Sequence, residues 1–175
     1  MSRGLAVASG ASRGGRLPRQ GTSADALPEA GFEQWPEDVD FGPLADLIGY
    51  ALRRAQIAIY QDFFATVGEL GFTPQLFAAL VLIERNPSLN QTRLGRIMGV
   101  NRAAAMAFID RLEDMKLVAR EASKSDRRSN AVVLTKLGRE RLSMLVQAVR
   151  EHDARASQNL TASEVSTLRR LLRKF

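Results

Sequence analysis

The segment Leu89–Thr135, LNQTRLGRIMGVNRAAAMAFIDRLEDMKLVAREASKSDRRSNAVVLT, decides the fold of this chain. Near its start, apolar residues recur three and four positions apart on one face of a short helix: Leu94, Ile97 and Met98. Gly99 follows at the position where a helix often ends in a left-handed residue, and Asn101 is a favourable N-cap for a second helix. The segment therefore predicts two helices joined by a tight turn.

The second predicted helix has one apolar face and one face that can meet a partner. Its buried stripe is expected to contain Ala105, Phe108, Ile109, Leu112 and Met115, and its other faces carry Arg102, Ala103, Met106, Ala107 and Asp110. After Lys116 two short runs rich in β-branched residues, LVARE and AVVLT, flank the polar loop SKSDRRSN, a pattern typical of a β-hairpin with a long connection. The chain is thus predicted to be mainly α-helical with one small hairpin.

The charge of this region favours a polyanionic partner. Residues 90–130 hold nine Lys and Arg against five acidic residues, and the whole chain has a net charge of +6. Taken one at a time, these arginines would be ordinary solvated surface. Arginines at a helix N-terminus and at a loop tip suit contacts with phosphate and with the minor groove of DNA. The chain has no cysteine, which excludes disulfides, thiolate metal sites and a cysteine-based peroxide sensor.

Residues 72–138 resemble the multiple antibiotic resistance regulator (MarR-type) winged helix-turn-helix proteins. The resemblance lies in FTPQLFAALVLIERNP, LNQTRLGRIMGVNR, FIDRLEDMKLVARE and SDRRSNAVVLTKLG. The wing signature of that family matches Asp126, Arg128, Ser129, Leu134, Thr135 and Gly138. The resemblance implies that the helix opening at Asn101 lies in the major groove, that Arg128 enters the minor groove from the wing tip, and that Asp126 orients Arg128.

The DNA contacts expected from the motif and its resemblance are made by Thr92, Arg93, Asn101, Arg102, Ala103, Met106, Ala107, Arg127 and Arg128. One departure from the family is the run Ala103–Ala105, where many relatives have Ser or Thr. Alanine cannot form a hydrogen bond with a base edge, although its methyl group can contact thymine, so specific readout should depend on Asn101, Arg102 and groove shape. For Ala104 and Ala105 helix packing is the alternative, and it is the expected role of Ala105.

The sequence predicts a DNA-binding winged helix at residues 72–135, a tail before it and helices on both sides of it. Residues 1–40, rich in glycine and proline, are expected to form a disordered tail, near the end of which Phe32 and Trp35 are anchors that dock on the domain. Residues 41–175 form the single domain, with dimerisation helices predicted over 41–70 and 136–175. The first of these helices is expected to run from Leu44 to about Glu69, and the last is predicted to start at a capping box of Thr161 and Glu164. The resemblance implies a homodimer that binds double-stranded DNA with an inverted repeat.

The resemblance also implies a small-molecule effector that relieves repression. Regulators of this type bind aromatic carboxylates or phenols between the dimerisation helices and the winged domain. The run NPSLNQTRLG resembles regulators of aromatic-acid breakdown, some of which respond to hydroxycinnamoyl-type coenzyme A thioesters. Candidate ligand-binding residues are Tyr50, Arg53, Arg54, Ile57, Tyr60 and Phe64, with Phe77 across from them. For each of these residues core or dimer packing is the alternative role.

Two other classes of protein are possible alternatives. An enzyme is not expected, because without cysteine and with only one histidine a catalytic site would need Asp, Glu, Lys and Ser alone. That histidine, His152, is expected to be solvated or to interact with a helix C-terminus. No cofactor, metal or membrane association is expected, and the predicted location is the cytoplasm. The remaining alternative is a winged-helix protein-interaction module without specific DNA binding.

Overall fold

The computed structural model describes residues 32–87, 89–122 and 130–175. In these ranges the chain forms six α-helices and one two-stranded antiparallel sheet, in the order α1 (Ile48–Thr66), α2 (Pro74–Arg85), α3 (Gln91–Met98), α4 (Arg102–Asp114), β1 (Val118–Ala122), β2 (Asn130–Leu134), α5 (Lys136–Ala156) and α6 (Ala162–Leu172). The predicted class, mainly helical with a small hairpin, is confirmed.

The helix-turn-helix elbow forms as its sequence predicts. α3 ends at Gly99, which has the positive φ of 69° that glycine adopts without a steric penalty. The side chain of Asn101 accepts a hydrogen bond from the backbone N–H of Ala104 at 2.8 Å and so caps α4. α3 is capped in the same way by Asn90, which accepts from the N–H of Arg93 at 2.9 Å. Two asparagine caps therefore set the starts of both helices.

A single apolar core joins the winged helix to α5. α2 lies at its centre, since it packs against α3, α4, α5 and β2. Thr73 caps α2, whose first residue is Pro74, a residue that suits the first position of a helix. The core contains Phe63, Phe72, Leu80, Leu94, Ile109, Leu112, Leu117, Val132 and Leu145. Residues of α4 and of the hairpin share this core, so the two elements have a defined relative position.

The hairpin base is well defined. β1 and β2 pair in an antiparallel register with Val118 opposite Leu134 and Ala122 opposite Asn130. The predicted loop tip, including Asp126, Arg127 and Arg128, lies outside the described residues.

Two details of the helices differ from the sequence-based expectation. The predicted helix from Leu44 to Glu69 is divided into a 3₁₀ turn at Gly42–Asp46, α1, and a second 3₁₀ turn at Val67–Leu70. The break before α1 falls at Leu47, whose backbone is extended (φ −91°, ψ 113°). Ile97, which the spacing places on the same helical face as Leu94, is 52% exposed at the end of α3, whereas Leu94 fills the core.

The segment before the first 3₁₀ turn packs on α1. The sequence predicts a disordered tail as far as residue 40, but Phe32, Trp35 and Phe41 surround the guanidinium of Arg54, with ring centroids 4.8 to 5.1 Å from its central carbon. Arg54 also donates hydrogen bonds to the backbone carbonyls of Glu33 and Gln34. The predicted docking of Phe32 and Trp35 is confirmed, and the disorder expected for residues 32–40 is wrong.

α6 leaves a row of apolar side chains uncovered. Its capping box is present, since Thr161 and Glu164 exchange hydrogen bonds. Among the described residues α6 is joined to α5 by an ion pair between Arg169 and Asp153 at 2.7 Å. Its exposed apolar residues include Leu168, Leu171 and Leu172, and Phe175 beyond its end is 87% exposed.

Within the described ranges no single helix is long and apolar enough to cross a membrane. The pair that reaches the required length and composition together, Ile48–Leu70 with Pro74–Arg85, is bent by 67°.

Candidate nucleic-acid interface and effector cavity

The exposed face of α4 has the composition that the sequence predicts. Arg102, Ala103, Met106 and Ala107 are exposed, whereas Ala105 is fully buried. The predicted packing role of Ala105 is therefore confirmed. The face that α4 offers to a partner consists of one arginine and a row of small or apolar side chains.

Two exposed arginines, Arg93 and Arg102, lie on or beside this face of α4. Thr92 and Arg93 are exposed on α3 beside the elbow. In the described part of the chain the side chains of Arg93 and Arg102 form no ion pair and no hydrogen bond. The Oδ1 of Asn101 already accepts the capping bond, and its Nδ2 can donate to a phosphate or a base. The surface is thus suited to bind an anionic backbone.

The hairpin is fixed to α4 by an arginine that sequence reasoning missed. Arg120 of β1 forms ion pairs with Asp110 and with Glu113, one turn apart on α4. These carboxylates raise the pKa of Arg120, with the hydrogen bond from Arg120 to Asp110 as the largest cause. Asp110 and Glu113 precede Arg120 by ten and seven positions. Acidic residues on α4 followed at this distance by a basic residue on β1 are the sequence signal that could have predicted the contact.

The base of the hairpin is tied to the start of α5. Thr135 caps α5 through the N–H of Gly138 at 2.9 Å, and its hydroxyl donates to the carbonyl of Lys116 at 2.8 Å. A Cβ atom on Gly138 would lie 2.0 Å from the carbonyl oxygen of Leu117, so only glycine fits. The Leu-Thr-x-x-Gly part of the wing signature therefore has a physical cause: a cap followed by a close backbone approach.

A cavity of about 320 Å³ lies between α1, the start of α2 and α5. Apolar side chains make up most of its wall, and Tyr60, Arg150, His152 and Asp153 supply polar groups. The apolar lining residues are Ile59, Phe63, Pro74, Phe77 and Val149. Pockets with mostly apolar walls and a few polar groups are typical sites for small organic ligands.

His152 is buried beside this cavity, and the expectation that it is solvated is wrong. It is 5% exposed, and its Nδ1 lies 2.6 Å from Oδ2 of Asp62 on α1. Arg155 donates to both carboxylate oxygens of Asp62 at 3.1 Å. The hydrogen bond from Arg155, and then that from His152, lowers the pKa of Asp62.

The predicted ligand-binding residues fall into separate groups. Tyr60 and Phe77 line the cavity, and the ring of Phe64 lies 6.1 Å from that of Tyr60. Tyr50 and Arg54 lie instead in the aromatic cluster with Phe32, Trp35 and Phe41. Arg53 is exposed and Ile57 is partly buried on α1, and neither lines the cavity. The structure thus brings together only part of the predicted set.

The predicted ligand-binding residues do not include His152 at the polar side of the cavity or its partner Asp62. Asp62 and His152 are 90 residues apart, and a single sequence carries no direct sign of such a pair. A weaker signal is present, because His152 continues the α5 stripe of Leu142, Leu145 and Val149 at helical spacing. A polar residue on an apolar stripe needs a buried partner, which argues against a solvated position.

Comparison with known proteins assigns the chain to a family. Residues 72–130 match the sequence profile of the MarR family. The chain is 35% identical over 135 residues, 77% of its length and 81% of the relative, to a proposed transcriptional regulatory protein for the hcr operon of Thauera aromatica.

Solved structures agree with this assignment. The transcriptional repressor CouR bound to a 23-mer DNA duplex superposes with a TM-score of 0.73 at 35% identity, covering 78% of this chain and 97% of CouR. CouR bound to p-coumaroyl-CoA superposes with a TM-score of 0.69 at 32% identity, covering 77% and 95%. The chain therefore belongs to the MarR family of winged helix-turn-helix transcriptional regulators.

Proposed function

We propose that the protein is a homodimeric repressor that binds an inverted-repeat operator through α4 and the hairpin and is released by an aromatic effector. The main support for this proposal is the exposed face of α4. Arg102 on this face has no partner in the described residues, and the side chains beside it are too small to keep α4 away from a base edge. Regulators of this family are generally not enzymes, and the proposal assigns no catalytic step.

Direct base readout by α4 should be sparse. Ala103 and Ala107 offer only methyl groups, Met106 is 37% exposed, and Asn101 uses its acceptor oxygen for the cap. Selectivity then comes from Arg102, from contacts between methyl groups and thymine, and from groove width at the hairpin tip, where Arg127 and Arg128 are proposed to contact DNA and Asp126 to orient Arg128.

We propose that a second copy of the chain packs against the exposed apolar side chains of α6. The exposed leucines of α6 are Leu168, Leu171 and Leu172, and Phe175 lies just beyond them. The start of α1 adds Leu47, Ile48 and Leu52, which are also exposed. Two-fold association of these surfaces would present two copies of α4 to successive major grooves about one helical turn apart.

The cavity is the proposed effector site. It lies between α1 and α5, which belong to the dimerisation part, and α2, which belongs to the winged helix. CouR is bound to p-coumaroyl-CoA in one of its structures, which supports an aromatic acid or its thioester as the ligand class here. A ligand that favours the non-binding arrangement by about 3 kcal/mol would weaken DNA binding roughly a hundredfold.

The experiment selects DNA from a random duplex pool with the full chain and measures affinity by fluorescence anisotropy between low and high salt. We expect an inverted repeat and a steep fall in affinity with salt, because Lys and Arg displace counterions. Replacing Arg102 with alanine should weaken binding to all sequences. It should also lower the salt slope by about 1 if Arg102 neutralises one phosphate.

Arg141→Ala is the matched control, because Arg141 is exposed on α5 and has no partner in the described residues. It should retain operator affinity. Equal affinity of the variants Arg102→Ala, Arg128→Ala and the parent chain would contradict the proposal, and it would leave a protein-interaction module as the alternative.

A further inference from the structure

The groove between the end of α5 and α6 is basic. Its volume is about 810 Å³, and its lining includes the apolar residues Leu160 and Val165. Arg169, Arg170 and Arg173 line it as well, and all three are exposed. Arg169 pairs with an aspartate of α5, whereas Arg170 and Arg173 have no ion pair or hydrogen bond among the described residues. The groove is therefore suited to an occupant that is both acidic and partly apolar.

This groove lies on a different face of α6 from the exposed leucines. Val165 and Arg169 are one turn apart and line the groove, whereas Leu168 and Leu172 do not line it. In the described part of the chain α6 does not pack extensively against any other element. Both of its faces are thus open to a partner, one apolar and one basic.

A segment with the complementary character lies near the other end of the chain. Residues 32–41, FEQWPEDVDF, which we call the N-terminal strap, contain no Lys or Arg. The acidic residues of the strap are Glu33, Glu37, Asp38 and Asp40. All four side chains are exposed, and within the described ranges only Asp40 accepts a hydrogen bond, from the backbone N–H of Gly42. Trp35 and Val39 are 44% and 48% exposed, so the strap also offers apolar surface.

The strap and the groove are not in contact within one chain. Arg54 holds the strap on the first half of α1, and no hydrogen bond or ion pair among the described residues joins the strap to α6. The proposed two-fold interface combines the start of α1 with α6 of a second copy. Because the strap directly precedes α1, this association would bring the strap of one copy close to α6 of the other.

We propose that the strap of one copy docks in the groove of the other, with its carboxylates beside Arg170 and Arg173 and with Trp35 against the apolar lining. Two-fold symmetry gives the dimer two such contacts. Because complementary charges determine which surfaces pair and in which orientation, the strap selects a second copy of this chain over chains that share only the apolar helices. The inference rests on the proposed function, since it requires the homodimer proposed there.

The first test reverses the charge on each side of the contact in the full chain. Arg170→Glu with Arg173→Glu and, in a separate chain, Glu37→Lys with Asp38→Lys should each raise the dissociation constant of the dimer about tenfold at low salt. Sedimentation equilibrium measures the dissociation constant, and circular dichroism checks that the fold is retained. Both effects should shrink at high salt, because salt screens exposed charges. An unchanged dissociation constant in both variants would overturn the inference.

Lys136→Glu with Arg141→Glu is the matched control. Both residues are exposed on α5 and neither lines the groove. This variant changes the net charge by the same amount as the groove variant, and its dissociation constant should equal that of the parent chain. A rise as large as that of the groove variant would assign the effect to net charge and overturn the inference.

Mixing the two charge-reversed chains separates docking between copies from docking within one chain. Each of these chains alone carries a strap and a groove of like charge, so its own homodimer is weakened. In a mixed dimer both contacts join opposite charges, and we expect an equimolar mixture to dimerise about as tightly as the parent chain. If the strap instead met the groove of its own chain, mixing would give no recovery, and that result would overturn the inference.

Trp35 reports on the contact directly, because it is the only tryptophan of the chain. Dilution of the parent chain from dimer to monomer should shift its emission to longer wavelength and increase its quenching by acrylamide, because the strap leaves the groove. Equal quenching in the dimer and the monomer would overturn the inference while leaving the proposed dimer intact. A parent chain that stays monomeric at micromolar concentration would contradict the proposed dimer and this inference together.

Discussion

Arg120 on the first strand of the hairpin forms an ion pair with Asp110 on the exposed face of α4. The same guanidinium pairs with Glu113, so one side chain joins the two elements that are proposed to contact DNA. The pairs lie partly in solvent and contribute little to stability on their own. Their main effect is to set the direction in which the hairpin leaves the winged helix.

We expect Arg120→Ala to weaken operator binding about tenfold while the free energy of unfolding falls by about 1 kcal/mol or less. Asp110→Asn is the sharper comparison. Loss of a negative charge beside DNA should strengthen binding by simple electrostatics, whereas loss of hairpin positioning should weaken it. Anisotropy with the selected operator distinguishes these outcomes, and tighter binding by Asp110→Asn would argue against the positioning role.

Gly138→Ala is expected to lower the free energy of unfolding by about 3 kcal/mol or more, because the new Cβ would overlap the backbone carbonyl of Leu117. Backbone cannot move aside as a flexible side chain can. Gly49→Ala is the control: no heavy atom lies within 4 Å of its added Cβ. Urea unfolding of the two variants should give a large loss for the first and a change of about 1 kcal/mol or less for the second.

The interactions of Asp62 with Arg155 and His152 should make stability depend on pH in the acid range. The pKa of Asp62 is lowered in the folded protein from its ordinary value of 3.8. Its stabilising contribution is therefore fully present above that value and is lost as pH falls through the lowered pKa. We expect Asp62→Asn to be less stable at neutral pH, with the difference from the parent chain shrinking on acidification. A difference that grows in acid would contradict this assignment.

Leu168→Glu with Leu172→Glu should convert the dimer to a monomer, because charged side chains would enter the apolar row of α6. Light scattering after size-exclusion chromatography gives the mass, and circular dichroism checks that the fold is retained. Leu70→Glu is a matched control, since Leu70 is 44% exposed in the 3₁₀ turn after α1. Monomeric mass for the unaltered chain at micromolar concentration would contradict the proposed dimer.

Arg54→Ala should release the segment at residues 32–41 from α1. The guanidinium contacts three aromatic rings of this segment and two of its carbonyl groups, and each cation–π contact contributes about 0.5–1 kcal/mol at a partly exposed site. Chymotrypsin should then cleave at Phe32 and Trp35 faster than in the parent chain. Arg141→Ala removes an exposed arginine of α5 instead and should leave the cleavage rate unchanged.

Features that depend on nearby residues are predictable from the sequence. The cap at Asn101, the left-handed exit at Gly99 and the capping box of Thr161 with Glu164 each involve residues within a few positions of one another. The partition of α4 between buried and exposed faces follows from helical periodicity, because tertiary burial of that helix agrees with its own pattern.

Features that depend on contacts distant in the sequence are not predictable in this way. Periodicity puts Ile97 on the same helical face as Leu94, yet Leu94 and Gly95 are buried and Met98 packs against the core while Ile97 stays in solvent. Tyr50 and Arg54 share a helix with Tyr60, yet they contact the segment at residues 32–41 and do not line the cavity. His152 obtains its partner from a residue on a different helix, and no local signal encodes that distance.

The carbonyl oxygen of Leu117 accepts the N–H of Thr135 at 3.0 Å and lies against the bare Cα of Gly138. This contact leaves no room for a hinge between the hairpin and the first turn of α5. His152 lies near the other end of the same helix, beside the cavity. α5 thus connects the cavity near one end with the base of the hairpin at the other, and we expect a ligand that tilts α5 near His152 to shift the hairpin base as well.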